Sequence, residues 1–235
     1  MLSPWTAEIW LRMRKLFLLK FVGTTAFIAL FFIAYFHLLR HPSQLPLTMP
    51  VTALDAWMPF QPAMLFPYLS LWLYIGVAPG LQRNLAELVA FGMWAAALCL
   101  SGLAVFYVFP TAVPALTFDA SGFAGFAMLQ GVDATGNAFP SMHVAVSMFT
   151  AMHVEDVLRR ARVPWAFRVI NVIWFLVIAW STVAVRQHVV LDVIGGAMLG
   201  MTFAVPSLRW RPRFDSPTAL ADPLPASNNT KFTSP

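Results

Sequence analysis

Two short stretches of this chain hold the residues best able to do chemistry. Phe139-Pro140-Ser141-Met142-His143 supplies a serine and a histidine, and Arg186-Gln187-His188-Val189-Val190-Leu191-Asp192 supplies an arginine, a histidine and a carboxylate. His188 and Asp192 are four residues apart, which on a helix puts them one turn from each other on a shared face. A carboxylate there accepts the proton of one imidazole nitrogen, fixes the tautomer and leaves the other nitrogen to attack an electrophile. His143 is a candidate general acid for the leaving oxygen. Arg186 has the planar fork that grips phosphate oxygens, while Ser141 and the N–H groups at two neighbouring helix starts are further donors. The chemistry that fits is transfer of a phosphate group onto His188, with Arg186 and helix N-termini supplying the positive field and no metal or cofactor expected.

Each residue alone is ordinary, because histidines at helix ends are commonly interfacial and His–Asp pairs on helices are frequent. The case depends on the elements that deliver both stretches to one place. Hydrophobic residues make up 59% of the 235 and charged residues 11%, and the mean hydropathy is +0.71. A soluble domain of this length cannot hide so much apolar surface, whereas a bilayer can. About 20 apolar residues cross the hydrocarbon as a helix, and six stretches qualify: Phe21–Leu39, Ala63–Leu81, Leu88–Phe109, Ser141–Val154, Val169–Val185 and Val189–Leu208. The fourth is cut short by His153, Glu155 and Asp156, although Pro140 is well placed to start it. Pro67 and Pro79 predict a kinked or broken second helix. The expected fold is all-α: a polytopic bundle of six transmembrane helices over residues 21–208, between a basic segment, 1–20, and a disordered tail, 209–235.

Charge sets the direction. Thirteen of the 15 basic residues fall on one side of these spans, and only Arg40 and Arg186 on the other. The positive-inside rule then predicts a cytoplasmic-membrane protein with both termini in the cytoplasm, so that His143, Arg186, His188 and Asp192 meet at the outer face. The net charge of +5 is accordingly a topology signal, and nucleic acid is not an expected partner. The apolar run near the amino terminus is too long for a cleaved signal peptide. Cys99 stands alone within an apolar run, which leaves no disulfide framework or thiolate cluster.

Ionisable residues at membrane depth mark function by default. His37 and His41 read as interfacial, and His153 falls roughly 15 Å along the helix from His143, toward the opposite end. Residues 40–62 hold five prolines with Trp57 and Phe60, which excludes a continuous helix and predicts a segment lying along the headgroups. Residues 110–139 read as a lid, a lipid-access surface or a plain connector. Gly196 and Gly200 make a small-residue face for close helix packing. A bis-histidine haem protein is a different reading of His143 and His188, but it leaves Ser141, Arg186 and Asp192 without roles. A transporter or structural membrane protein is another.

Pro140-Ser141-Met142-His143 resembles the Pro-Ser-Gly-His motif of the type 2 phosphatidic acid phosphatase superfamily, and Ser181 through Asp192 resembles its Ser-Arg-x5-His-x3-Asp motif. The resemblance implies that His188 is the phosphate-accepting nucleophile, Asp192 its orienter, His143 the general acid and Ser141 a phosphate ligand. It departs in two places. Thr182 stands where the family has arginine after Ser181, and the Lys-x6-Arg-Pro motif is missing after the third span, where Phe106-Tyr107-Val108-Phe109-Pro110-Thr111 is found. Arg186 is a candidate replacement for one charge, with Tyr68 and Tyr107 as further substitutes. Asn137 through His143 and Arg186-Gln187-His188 are most similar to the inositolphosphotransferase (phosphosphingolipid synthase) branch. The implied substrate is a lipid from the outer leaflet. Its phosphate passes to water in a phosphatase, the favoured outcome, or to an alcohol in a phosphotransferase.

Overall fold

Helix starts follow local chemistry. Pro4 opens α1 (Pro4–Arg14), and α2 (Phe17–Arg40) follows after a short break. Thr52 caps α3 (Ala53–Trp57) through a reciprocal box with Asp55. A single 3-10 turn, Pro62–Met64, leads into α4 (Leu65–Gly80). Asn84 accepts from Glu87 N–H to cap α5 (Leu85–Val108). Ser141 caps α6 (Met142–Arg160) by accepting from Val144 N–H. Two further helices, α7 (Trp165–Ala184) and α8 (Val190–Arg209), complete the bundle. The computed structural model describes residues 3–116 and 136–210. Most of the 110–139 lid candidate and almost all of the 209–235 tail lie outside the described residues.

This is an all-α membrane protein, and among the described residues five helices are long and apolar enough to cross a bilayer: α2, α4 with its leading turn, α5, α7 and α8. The expected sixth, α6, falls short in hydropathy for a structural reason. It lies at the middle of the bundle against α4, α5, α7 and α8, so its polar residues meet protein. His153 Nε2 is 2.8 Å from Ser207 Oγ of α8. Glu155 pairs with Arg168 of α7 (Arg168 Nε to Oε1 2.8 Å), and Asp156 with Arg160 at 2.9 Å. The helix therefore continues to Arg160, well past the Val154 expected from sequence. A second correction concerns α4, which runs unbroken from Leu65 to Gly80. Pro67 sits in its first turn, where an N–H has no intrahelical partner to lose, and Pro79 in its last.

Alternating helix directions gather the C-terminal ends of α2, α5 and α7 and the starts of α4, α6 and α8 at one end. The 40–62 segment forms no continuous helix. A two-residue parallel pairing, Leu47–Thr48 with Thr111–Ala112, joins it there to the chain after α5. At the opposite end Lys20 Nζ donates to Gly80 O at 2.8 Å and Arg12 Nη1 to Leu81 O at 3.2 Å. Gly196 and Gly200 do what their spacing implied: a Cβ at either would collide with the backbone carbonyls of Ser141 and Ala145, so α8 lies directly on α6.

Candidate active site

The close packing of α8 on α6 brings the two chemical stretches together. His188 precedes α8 and Asp192 lies in its first turn, so they meet across the helix start rather than along one helical face. His188 Nδ1 is 3.5 Å from Asp192 Oδ2, and the carboxylate is fully buried. Asp192 Oδ2 also accepts from Val189 N–H at 2.9 Å, which aims the carboxylate back at the imidazole. At 3.5 Å the two side chains are aligned but not closed into a hydrogen bond, and among the described residues His188 Nδ1 and Asp192 Oδ1 have no hydrogen-bond partner. The backbone supports this geometry: His188 N–H donates to Thr182 O at 3.1 Å, and Ser141 N–H to Asp192 O at 3.0 Å. His143, in the first turn of α6, brings its ring to 5.7 Å from that of His188. Tyr68 stacks on the other side of His143 at 4.6 Å, and Trp72 meets it edge-on at 6.0 Å.

The remaining expected residues divide. Asn137 adopts a left-handed backbone (φ 52°) beside the histidines and donates to Tyr35 O at 3.2 Å. Ser141 is fully buried, its Oγ occupied in capping α6, so it lies under the site as a brace. Ser181 and Thr182 turn their hydroxyls onto carbonyls of their own helix, Ile178 O and Ala179 O; Thr182 serves the site through its carbonyl. Tyr107 is 59% exposed and is not brought in. Arg186, at φ 59°, donates to Met58 O at 2.6 Å and Asp55 O at 3.1 Å. Its guanidinium is therefore anchored to the 53–58 segment. The start of α8 is likewise engaged: Val189 N–H donates to Asp192, and Val190 N–H to Asp55 Oδ1 at 2.8 Å. The expected free donors there are taken by carboxylates.

Asp55 is the residue that sequence reasoning missed. One oxygen caps α3 through Thr52, the other holds the start of α8, and its carbonyl holds Arg186. Met58 packs under this strap against Val183, Ala184 and Val190, and Gln61 N–H donates to Ala184 O. Thr52-x-x-Asp55 was readable as a capping box, but nothing local reveals that the same carboxylate reaches residue 190.

The histidines stand at the end of an apolar cavity of about 450 Å³, walled by α2, α4, α5 and α6 and polar only around Asn137, His143 and His188. The family model of the PAP2 superfamily matches residues 63–205. The chain belongs to the PAP2 superfamily. That membership supports a phosphatase-type activity on lipid phosphates, and two facing histidines at the end of an apolar cavity are an arrangement compatible with it. The PAP2 match starts just before α4 and ends within α8, so it includes His143, His188 and Asp192 but neither α2 nor the Asp55 strap. No curated protein and no solved structure matches this PAP2-superfamily chain.

Proposed function

We propose that the protein is a phosphatase that hydrolyses a lipid-linked phosphate at the outer face of the cytoplasmic membrane through a phosphohistidine. Asp192 holds the proton on His188 Nδ1, and Nε2 attacks phosphorus. The P–N bond forms as the bond to the lipid oxygen breaks, and His143 donates its proton to that oxygen. His143 then takes a proton from water as the water attacks the phosphohistidine, releasing phosphate and restoring both imidazoles. Met142 opens α6, where an N–H has no intrahelical acceptor and the helix dipole favours a phosphate oxygen. Tyr68, buried against His143, keeps that ring facing its partner.

The observation that carries this reading is the approach of one imidazole, His188, to both Asp192 and His143 at the end of an apolar cavity. The outward assignment is supported by charge: Arg12, Lys20, Arg83, Arg160, Arg168 and Arg209 lie at the far end of the bundle, and only Arg40 and Arg186 of the described basic residues at the site end. The test is phosphate release from lipid monophosphates by purified protein beside His188→Ala. Loss of more than about a thousandfold in turnover is expected; full turnover by the variant would end the mechanism.

A second reading, transfer to an alcohol in the manner of the inositolphosphotransferase branch, is favoured by the Asn137–His143 run and by Arg186-Gln187-His188. Both readings share the first half-reaction. Labelled lipid with and without inositol separates them: phosphate release indifferent to inositol supports hydrolysis, and a labelled inositol phosphate supports transfer.

A further inference from the structure

Helix α2 is held to the bundle by polar contacts at its two ends, and between them Phe27, Phe31 and Phe32 edge the core while cavities open beside them. Its buried residues are Lys20 and Tyr35. Lys20 Nζ donates to Arg12 O at 2.7 Å and Gly80 O at 2.8 Å. At the other end Tyr35 packs its ring 5.9 Å from that of Phe106, and its carbonyl accepts from Asn137. A second cavity of about 300 Å³ lies along the lower part of α2, reaching from the first cavity to Lys20. The two share Phe27, Ile28, Ile75, Cys99 and Val146 as walls, so they adjoin end to end along one seam beside α2.

Glycines on its walls keep the seam open. Gly23 of α2 and Gly92 of α5 line the lower cavity, and a Cβ at either would meet nothing within 4 Å. Their role differs from that of Gly102, Gly196 and Gly200, where a Cβ would collide with a neighbour. Glycine inside a helix is disfavoured relative to alanine, and at positions 23 and 92 packing gives no reason for it. What glycine leaves at both positions is open space beside the cavity. From Tyr35 to Lys20 the helix rises about 22 Å, against a leaflet hydrocarbon depth of about 15 Å.

Resting on the phosphatase reading, we propose that this seam binds a single hydrocarbon chain of the substrate, longer than one leaflet is deep, and that the enzyme selects long single-chain lipid phosphates. A lipid whose phosphorus sits at His188 must place its chain in the apolar space adjoining the two histidines, and the cavities continue from there to Lys20. The Lys20 ammonium, engaged by two carbonyls, forms a polar floor beneath the chain end.

The experiment compares octyl phosphate, palmitoyl lysophosphatidate and a polyprenyl phosphate on the full chain in detergent, for wild type, Gly23→Leu and Gly92→Leu. The expected result is a kcat/KM that rises with chain length in wild type. In both variants it should fall at least about tenfold for the polyprenyl substrate but stay within about twofold for octyl phosphate. A wild-type kcat/KM that is flat from palmitoyl to polyprenyl, or a variant loss equal at every length, overturns the proposal and assigns the seam to a structural lipid. Retention of labelled polyprenyl phosphate by His188→Ala, with and without Gly92→Leu, decides the seam independently of turnover. Retention that Gly92→Leu abolishes supports the seam, and retention it leaves unchanged overturns it. If no chain length releases phosphate, hydrolysis fails as a reading while the retention result still stands or falls by itself.

Discussion

Helix α6 carries two histidines, and their surroundings differ in kind. His153, near the basic end, is 7% exposed, lies 2.8 Å from Ser207 Oγ and is boxed by the rings of Phe91 and Phe149. The orphan atom near it, Glu155 Oε2, belongs to a side chain 30% exposed and already paired with Arg168. At the other end His143 faces His188 across a cavity, and the unpartnered atoms, His188 Nδ1 and Asp192 Oδ1, lie within one buried pair. Buried polar groups are normally satisfied, and exceptions need an explanation. At the His153 end the exception belongs to a carboxylate already paired through its other oxygen; at the His188 end it falls on both members of one buried pair, where a reacting group would complete the set.

The sharpest test of this contrast is Asp192→Asn. It preserves shape but removes the negative charge beside Nδ1, so turnover should fall about 10²–10⁴-fold, as for other carboxylate–histidine pairs, with the fold intact by circular dichroism. An unchanged kcat would reduce the pair to a helix cap. A smaller effect is expected at Asp55→Ala, which leaves Val190 N–H without its acceptor and loosens the strap. A kcat lower by about 10–100-fold with KM little changed is the outcome for a group that positions another; a pure loss of stability, with full turnover per folded molecule, would make Asp55 structural only. The smallest effect on catalysis should come from His153→Ala. Turnover per folded molecule should be unchanged while stability falls by about 1–3 kcal/mol through the lost bond to Ser207. A large fall in kcat there would erase the distinction between the two ends.

Much of the bundle was legible in the residues because bilayer crossing imposes a length and a composition on each span. Five helices announced themselves that way. The sixth was read short, ending at Val154, since α6 is shielded by its neighbours and His153, Glu155 and Asp156 pair inside the protein. The same limit applied at the site. His188 and Asp192 could be named from their four-residue spacing, although they meet across the start of α8 rather than along one helical face, and His143 from its place at the start of a span. The anchoring of Arg186 was not legible, because its tie to the carbonyls of Asp55 and Met58 spans more than a hundred residues of chain. Ser141 had two possible uses, and only the packing of α8 on α6 made it a buried brace.

Residue types and their periodicity were thus enough to establish an apolar all-α chain, the side on which its positive charge collects and the histidine–carboxylate pair with its second histidine. Folding in three dimensions settled which polar groups face the cavity, which are consumed in holding loops, and that the 52–61 segment straps the start of α8. The division has a physical cause. Spans and nearby pairs depend on interactions a few residues apart, which local order carries. A cavity and a strap depend on contacts between segments far apart in the chain, which exist only once the helices have packed.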